Sequence, residues 1–298
     1  MKQDPQQLLK PEIINSVKGL ALIARVTVDG YLSGLNHSRR VGMGMEFSQY
    51  RGYQPGDDMR LLDWKMLARS GRYYIKQSEV ETNISVKFIL DSSRSMLYQE
   101  EGLTKMDYVR VLVASLAYLA QNQGDAVGLF ALNDHGLFSL YPRVQRQHFN
   151  RLLHGLINVS NEGKWPEDPR ASEKLHDRSH KELICFITDM YENTTELTDI
   201  IKRLKTTRNE VVVFQVMGKA ELEFNYRGTL TFEDLETGDR VKVNANDARE
   251  YYLKSIEELI TNTKNTLLAN GISYHLFRLD EPVSQALQVF LKKRSSLL

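Results

Sequence analysis

Four oxygen-bearing side chains in this 298-residue sequence have the types and spacing needed to bind a hard metal ion. Asp91, Ser93 and Ser95 form D-x-S-x-S directly after the apolar run SVKFIL, and Asp189 follows the apolar run ELICFIT. Alternate residues of one loop can direct their oxygens at one point, and carboxylate, hydroxyl and water oxygens are the ligands that Mg²⁺ prefers. The pattern predicts a Mg²⁺ site shared by two loops.

The same residues also have a purely structural interpretation. Asp and Ser cap helix N-termini, and a loop between a strand and a helix often ends in Ser. D-x-S-x-S alone therefore fits a helix cap better than a metal site. The second aspartate, Asp189, ends another apolar run and favours the metal site.

The elements that must position these residues alternate between strands and helices from Ser85 onward. Continuous apolar runs predict strands buried on both faces, and the segments between them have helical spacing. The predicted strands are 85–90, 126–132, 136–142, 182–188, 210–217 and 272–279, and the predicted helices are 105–121, 147–159, 196–204, 247–270 and 283–293. This predicts an α/β fold with a doubly wound, mostly parallel sheet, in which ligands bind outside the carboxyl ends of the strands.

Two further segments accompany this sheet. TLTFED and RVKVN alternate in polarity around a turn at 236–239, which predicts a β-hairpin inserted at about 218–246. Residues 1–81 are predicted to be an appendage, with a helix over 11–28, that packs on a main domain spanning 82–298.

Composition argues against several classes of protein. The net charge of +1 gives no global field to attract nucleic acid or an anionic membrane. The one cysteine, Cys185, lies within LICFIT, which predicts a buried thiol in a reducing compartment. No signal peptide and no run of roughly 20 apolar residues is present in the sequence, so we expect a cytoplasmic protein without membrane insertion.

The segment 37–76 mixes basic and aromatic side chains, as single-strand nucleic-acid binders do. It holds eight Lys or Arg residues against four Asp or Glu residues, but the acids stand beside the bases, so mutual pairing would neutralise much of the charge. This favours a clamp that fixes the appendage to the main domain, or a docking surface, with Trp64 in an apolar pocket. The clamp or docking residues are Arg51, Tyr53, Pro55, Gly56, Asp57, Asp58, Arg60, Asp63, Trp64 and Arg69.

The motifs together resemble a known fold and a known family. DSSRSM after the first buried strand, GDAVGLFAL in the second and ITD at a later strand end resemble von Willebrand factor A domains and their metal-ion-dependent adhesion site (MIDAS). A long signature is similar to that of a bacterial A-domain-like family, domain of unknown function 58, and D-x-E-T-G at 234–238 matches an element of that family's inserted hairpin. The signature falls on Gly42, Gly44, Glu46, Phe47, Arg51, Tyr53, Pro55, Gly56, Asp57, Asp58, Arg60, Asp63, Trp64, Ala68 and Arg69.

The resemblance implies roles for the site residues. Ser93 and Ser95 would ligate Mg²⁺ directly, Asp91 and Asp189 would hold coordinating waters, and an acidic residue of a partner would fill the open position. The threonine ligand of such sites is missing from the expected loop, VSNEGKWPEDPRASEKL at 159–175. Two serines of that loop could substitute for it, Ser160 and Ser172.

The resemblance also implies a function. Such proteins are associated with MoxR-type AAA+ ATPases, so we expect a non-enzymatic adaptor that binds a MoxR-type ATPase or its client protein. The sequence has no P-loop, so the ATPase would be another chain. The alternative is a metal-dependent hydrolase using Asp91 and Asp189, which is weaker because no His or Lys is evidently placed as a base. A single-stranded nucleic-acid binder is less favoured still.

Overall fold

The computed structural model describes residues 9–38, 49–52, 64–77, 84–166, 175, 181–192 and 195–296, without the side chains of 33–38, 49–52 and 75–77. The chain divides into two compact units. The main unit combines Met1–Tyr31 with Asn83–Leu297, and the small unit is Leu32–Thr82 together with Leu298. The small unit thus ends next to the predicted boundary at 81, whereas the residues up to Tyr31 belong to the main unit.

Strands and helices alternate along most of the described chain. The strands are β1 (Gln49–Gly52), β2 (Tyr74–Gln77), β3 (Ser85–Asp91), β4 (Gln99–Glu100), β5 (Leu103–Thr104), β6 (Ala126–Asn133), β7 (Gly136–Arg143), β8 (Glu182–Thr188), β9 (Asn209–Met217), β10 (Thr229–Glu233), β11 (Arg240–Asn244) and β12 (Ser273–Arg278). The helices are α1 (Pro11–Ile14), α2 (Val17–Ser38), α3 (Trp64–Ser70), α4 (Lys105–Asn122), α5 (Arg146–Asn158), α6 (Glu196–Leu204), α7 (Lys219–Glu223), α8 (Ala245–Ala269) and α9 (Ser284–Ser295), and Arg94–Leu97 forms a short 3-10 helix.

The main unit is built on a six-stranded sheet with the order β12-β9-β8-β3-β6-β7. The strands are parallel except β7, which pairs antiparallel with β6 at one edge. β3, β8 and β9 are almost wholly buried because helices cover both faces of the sheet, which explains their continuous apolar sequences. The predicted α/β class and mostly parallel sheet are confirmed.

The strand order places one crevice at the centre of the sheet. Counted along the chain within the sheet, the order is 3-2-1-4-5-6, so the chain winds one way from β3 and the other way from β8. Ligand sites of such sheets lie at this switch point, outside the carboxyl ends of the two strands. Asp91 ends β3 and Asp189 follows β8, so both aspartates lie at the switch point.

The N-terminal helix differs from its prediction over 11–28. It is broken into α1 and α2 at Asn15 and Ser16, and α2 continues to Ser38. α2 continues through Gly30 and Gly34, although each glycine lowers helix propensity by about 1 kcal/mol, and no proline interrupts it. The first part of α2 is buried on the main unit, and Asn15 Oδ1 accepts a hydrogen bond from Arg110 Nη1 at 3.0 Å.

The predicted inserted hairpin is present as β10 and β11, which pair antiparallel as a separate two-stranded sheet. The short helix α7 precedes it and was not predicted. In the small unit, β1 and β2 pair antiparallel and α3 lies between them in sequence. Within the described ranges no helix combines the length and apolar character needed to cross a membrane.

Candidate functional site at the switch point of the sheet

Asp91 anchors the loop that follows β3. Its carboxyl group is 1% exposed, Oδ1 accepts the backbone N–H of Ser93 at 3.0 Å, and Oδ2 accepts the hydroxyl of Thr188 at 2.8 Å. Asp and Asn side chains often accept a hydrogen bond from the backbone N–H two residues later in the chain, because this bond closes a tight turn. Asp91 therefore fixes the start of the loop and joins it to the end of β8.

The two serines of D-x-S-x-S are not used as helix caps. Ser93 occupies the N-cap position of the 3-10 helix but makes no side-chain cap hydrogen bond. The hydroxyl oxygens of Ser93 and Ser95 lie 2.9 Å apart, with Ser93 buried and Ser95 half-buried. The capping interpretation therefore accounts for the turn at Asp91. It does not account for the paired hydroxyls of Ser93 and Ser95, which are available to bind a ligand.

Asp189 is completely buried and is compensated by Lys105, the first residue of α4. Lys105 Nζ lies 3.0 Å from Asp189 Oδ2 and 2.8 Å from Glu221 Oε1. The same ammonium group lies 5.1 Å from the ring centroids of Tyr98 and Tyr191. Burial alone would lower the pKa of Lys105, but the charges of Asp189 and Glu221 raise it above its ordinary value, so the ammonium stays protonated.

The two aspartates repel each other across the switch point. Burial and then the charge of Asp189 raise the pKa of Asp91 to about 7, although hydrogen bonds from Ser93 and Thr188 act in the opposite direction. One lysine therefore does not remove the excess negative charge at this end of the sheet. A bound cation would relieve the same repulsion.

A third carboxylate reaches the site from the inserted hairpin. The side chain of Glu236 is half-buried and lies near Asp189 and the two serines. The D-x-E-T-G turn presents it, because Asp234 Oδ1 accepts the backbone N–H of Glu236 at 2.7 Å and Gly238 adopts a φ of +79°. Burial and then the charge of Asp189 raise the pKa of Glu236.

The donor set fits Mg²⁺ through hydroxyls and water rather than through a cage of carboxylates. Among the residues that the structure describes, no three His, Cys, Asp or Glu side chains form a group that could hold a metal ion. The hydroxyls of Ser93 and Ser95, beside buried aspartates, match the preference of Mg²⁺ for few protein ligands and several waters. Mg²⁺ bound there would supply positive charge to attract an incoming carboxylate.

Ser160, one of the two serines expected to substitute for the threonine ligand, pairs with a neighbouring carboxylate. The hydroxyl of Ser160 donates to Glu162 Oε1 at 2.5 Å, although its loop does contact the site, since Asn161 Nδ2 donates to Ser93 O at 3.4 Å. Ser172 lies outside the described residues. Thr188 is a threonine that lies at the site, but its hydroxyl donates to Asp91 and accepts the backbone N–H of Met190 at 3.0 Å. Thr188 positions Asp91.

Most of the predicted clamp or docking residues lie outside the described part of the chain. Arg51 is in β1, described by its backbone alone, and Trp64 and Arg69 are in α3, where both are exposed. Trp64 is 60% exposed, so the described residues of the small unit form no apolar pocket around it. The clamp itself stays a prediction. The clamp residues outside the description are Tyr53, Pro55, Gly56, Asp57, Asp58, Arg60 and Asp63.

Three functional residues could not be identified from the sequence: Lys105, Glu221 and Thr188. Lys105 is a helix-starting lysine far from Asp189 in sequence, and nothing in its local pattern indicates that the two pair. Thr188 directly precedes Asp189 in ITD, which was the available signal. Glu236 belongs to the D-x-E-T-G element, so the motif was found although its position near the switch point was not.

The sequence relatives of this chain are described as uncharacterized proteins. An uncharacterized protein of Mycobacterium tuberculosis (strain ATCC 25618 / H37Rv) is 23% identical over 237 residues, which cover 76% of this chain and 72% of that protein. An uncharacterized protein of Mycobacterium bovis matches with the same identity and coverage.

Solved structures with some similarity include a conserved hypothetical protein, BatB, from Bacteroides thetaiotaomicron, with a TM-score of 0.49 and 14% identity over 72% of this chain and all of that one. The von Willebrand factor type A protein from Catenulispora acidiphila has a TM-score of 0.37 and 13% identity over 72% of this chain and 43% of that one. The family comparison is more extensive, since residues 49–259 match the family described as "Protein of unknown function DUF58". The chain therefore belongs to the DUF58 family.

Proposed function

We propose that this protein is a non-enzymatic interaction protein that binds a partner over the carboxyl end of its sheet, at a Mg²⁺-dependent site centred on Ser93 and Ser95. The observation that carries the proposal is the position of the Ser93 and Ser95 hydroxyl oxygens, which lie 2.9 Å apart beside the buried Asp91. Ser93 makes no side-chain cap hydrogen bond. A hydroxyl pair of this kind can ligate Mg²⁺, and the cation would attract a partner's carboxylate.

The surroundings of the site suit a protein partner. Three large side chains within two residues of site residues in sequence are exposed: Leu97 at 44%, Tyr191 at 37% and Leu235 at 40%. Exposed apolar side chains around a polar centre are typical of protein-binding surfaces. They lie after the D-x-S-x-S loop, after the end of β8 and in the turn of the inserted hairpin.

The partner that we propose is a MoxR-type AAA+ ATPase or its client protein, and the place of action is the cytoplasm. The support for this partner is the family resemblance of the sequence, and the support for the location is its composition.

The alternative of a metal-dependent hydrolase using Asp91 and Asp189 gains less support. A general base must reach its substrate. Asp91 has a pKa near neutrality, but it is 1% exposed and both of its oxygens accept hydrogen bonds. Asp189 is paired with Lys105. Because the pKa of Lys105 is raised, this lysine stays protonated and cannot accept a proton as a base.

The metal part of the proposal is tested by isothermal titration of Mg²⁺ into the whole protein. We expect one binding site, with affinity reduced at least tenfold in Asp91→Asn, because the amide keeps the shape of the side chain but removes its charge. The matched control is Asp247→Asn, which removes one charge from an exposed position in the first turn of α8. Equal Mg²⁺ affinity in all three proteins would contradict a site at Asp91.

The partner part is tested by capture from cells that express the protein. Wild-type protein should retain an AAA+ ATPase in Mg²⁺ and lose it in EDTA, and the double variant Ser93→Ala/Ser95→Ala should fail in both. Ser139→Ala, which removes an exposed hydroxyl from β7, should behave as wild type. An ATPase captured equally well by the double variant would show that binding does not use this site.

A further inference from the structure

We propose that Lys105 is a positioning residue that couples the switch-point site to the inserted module, defined as α7 together with the hairpin β10–β11 (residues 219–244). Its ammonium group docks the module at the end of the sheet, and Mg²⁺ at the site weakens this docking by competing for Asp189. The inference rests on the proposed function, because the competing ion is the one assigned to Ser93 and Ser95. It adds a residue through which the inserted module responds to that ion.

Lys105 occupies a position that local preferences disfavour. It is the first residue of α4, where the partial positive charge of the helix N-terminus repels a cation. Its side chain is also buried, and burial disfavours a charged group that has no partner. The capping box of Thr104 and Asp107 already satisfies the start of the helix, so α4 does not need this lysine in order to form. A residue that breaks local rules in this way indicates a tertiary function.

The surroundings of the Lys105 ammonium group form a built cation site. The carboxylate oxygens Asp189 Oδ2 and Glu221 Oε1 lie 3.0 and 2.8 Å from it. The ring centroids of Tyr98 and Tyr191 each lie 5.1 Å away. Carboxylates and aromatic rings are the groups that attract an ammonium ion most strongly in a protein. One cation therefore joins the start of α4, the end of β8 and α7.

α7 depends on polar contacts for its position. None of its five residues is fully buried, so it has little apolar anchorage of its own. Oε1 of Glu221 pairs with Lys105, and the backbone oxygen of Glu221 accepts the hydroxyl of Tyr252 at 2.8 Å. The backbone N–H of Ala220 donates to Glu100 Oε1 at 3.1 Å. Within this set, the Lys105 pair is the contact that leads to the switch-point carboxylate.

An aromatic cluster links α7 to the hairpin. The ring of Phe224, at the end of α7, lies 5.8 Å from that of Phe232 on β10 and 4.5 Å from that of Tyr252 on α8. The ring of Tyr226 lies 5.3 Å from those of Phe224 and Phe232. β10 and β11 form a sheet of their own, and an isolated two-stranded hairpin is only marginally stable. The position of the hairpin therefore depends on this cluster and, through it, on α7.

Mg²⁺ and Lys105 interact with the same buried carboxylate. Asp189 Oδ2 accepts a hydrogen bond from Lys105, and Oδ1 accepts the backbone N–H of Tyr191 at 3.3 Å. A second cation beside Asp189 repels the ammonium group and shares its counter-charge, so it weakens the pair. Coupling of this kind is reciprocal. Mg²⁺ loosens the module, and Lys105 lowers the affinity of the site for Mg²⁺.

The docking role is tested by hydrogen exchange of the amides at 219–244, measured by mass spectrometry on the whole protein without Mg²⁺. Lys105→Met should exchange in the module at least about tenfold faster than Lys87→Met, because the module opens locally once α7 loses its cation. Lys87→Met is the matched control, since Lys87 is equally buried and pairs with Glu182 at the opposite end of the strands. The comparison removes the contribution of global destabilisation. Equal module exchange in the two variants would overturn the docking role.

A milder variant, Glu221→Gln, keeps the test valid if Lys105→Met fails to fold. It removes the partner charge on α7 and leaves the lysine paired with Asp189. Exchange at 219–224 should rise at least about tenfold over wild type, because the polar contact that fixes α7 is weakened. Glu233→Gln, which breaks an exposed ion pair with Arg240 on the hairpin, should leave exchange at 219–224 unchanged. Wild-type exchange in Glu221→Gln, or equal acceleration in Glu233→Gln, would contradict the docking.

The competition is tested by repeating the exchange in saturating Mg²⁺. Mg²⁺ should speed exchange of the module in wild type at least about fivefold, and it should have no such effect in Lys105→Met. Isothermal titration should give at least about fivefold tighter Mg²⁺ binding to Lys105→Met than to wild type, which is the reciprocal effect. A lysine with a merely structural role would change neither quantity. Module exchange in wild type that is unchanged or slowed by Mg²⁺ would overturn the competition.

The two proposals fail in different ways. If Mg²⁺ does not bind but Lys105→Met and Glu221→Gln free the module, the metal site and the competition are wrong and the docking role stands. If Mg²⁺ binds with an affinity that Asp91→Asn reduces, but module exchange responds neither to Mg²⁺ nor to Lys105→Met, the proposed binding site stands and the coupling through Lys105 is wrong.

Discussion

Lys105 is a buried cation whose ammonium group lies 3.0 Å from Asp189 and 2.8 Å from Glu221. Burying a charge is costly unless its partner is present, so a buried pair is strongly destabilised when one member is removed. At this site the lysine has a second consequence, since it supplies part of the positive charge that a metal ion would otherwise provide. Lys105 therefore compensates the buried Asp189 in the free protein.

Replacing Lys105 by Met should lower the free energy of unfolding by about 3–5 kcal/mol, because Asp189 and Glu221 then lose their cation. Saturating Mg²⁺ should restore more stability to this variant than it adds to wild type, since the ion then faces a larger excess of negative charge. Urea denaturation followed by circular dichroism, with and without Mg²⁺, measures both effects.

The matched control is Lys87→Met. Lys87 on β3 is equally buried and pairs with Glu182 at 2.7 Å, at the start of β8 and so at the opposite end of the strands from Asp189. The Lys87→Met variant should lose a similar amount of stability, and Mg²⁺ should not restore that stability. Equal recovery in both lysine variants would mean that Mg²⁺ acts on the protein in general rather than at the switch point.

At the scale of elements, the junction of α1 and α2 depends on a close approach at Gly19. A Cβ atom there would lie 2.2 Å from the backbone oxygen of Ile13 and 2.6 Å from Ser16 Oγ, which itself donates to Ile13 O. Gly30, in the same helix, has open space where its Cβ would be. The two glycines of one helix therefore play opposite roles.

Gly19→Ala should destabilise the protein by about 1–3 kcal/mol, because the backbone at Ile13 has to move. Gly30→Ala should stabilise it by up to about 1 kcal/mol, since alanine restricts the unfolded chain and favours the helix. Urea denaturation of both variants beside wild type gives the comparison. Destabilisation by both substitutions would indicate that helix α2 tolerates no added methyl group, contrary to the open space at Gly30.

The elements of the sheet could be predicted from sequence to within one or two residues because their apolar runs have one physical explanation, burial on both faces. The helix predicted over 11–28 differs from the structure because its break at Asn15 and Ser16 and its continuation to Ser38 have no clear local signal in the sequence. For the site, Asp91, Ser93, Ser95 and Asp189 were found because position at a strand end is visible in sequence. Lys105 contacts Asp189 only after folding, and no local pattern encodes such a contact.

At the scale of the whole molecule, the described core is formed by the main unit alone. The buried hydrophobic residues lie at 14–28 and from 84 onward, and the described side chains of the small unit contribute none. The site and the hairpin also belong to the main unit. This distribution of buried side chains gives the main unit a core of its own. The interpretation of the segment around Trp64 as a clamp that fixes the appendage to the main domain, or as a docking surface, stays a prediction.

Replacing residues 39–82 by flexible Gly/Ser linkers of graded length should therefore change the free energy of unfolding by no more than about 1–2 kcal/mol at the best length, because loop closure costs only about 0.6 kcal/mol for each doubling of loop length. Mg²⁺ titration should give the wild-type affinity. Leu20→Ala in the same background serves as the sensitivity control, and loss of this fully buried side chain should cost about 2–5 kcal/mol. If every linker lowers stability by as much as Leu20→Ala does, the segment is a structural clamp. If stability holds but an AAA+ ATPase is no longer captured, the segment is a docking surface that acts beside the switch-point site.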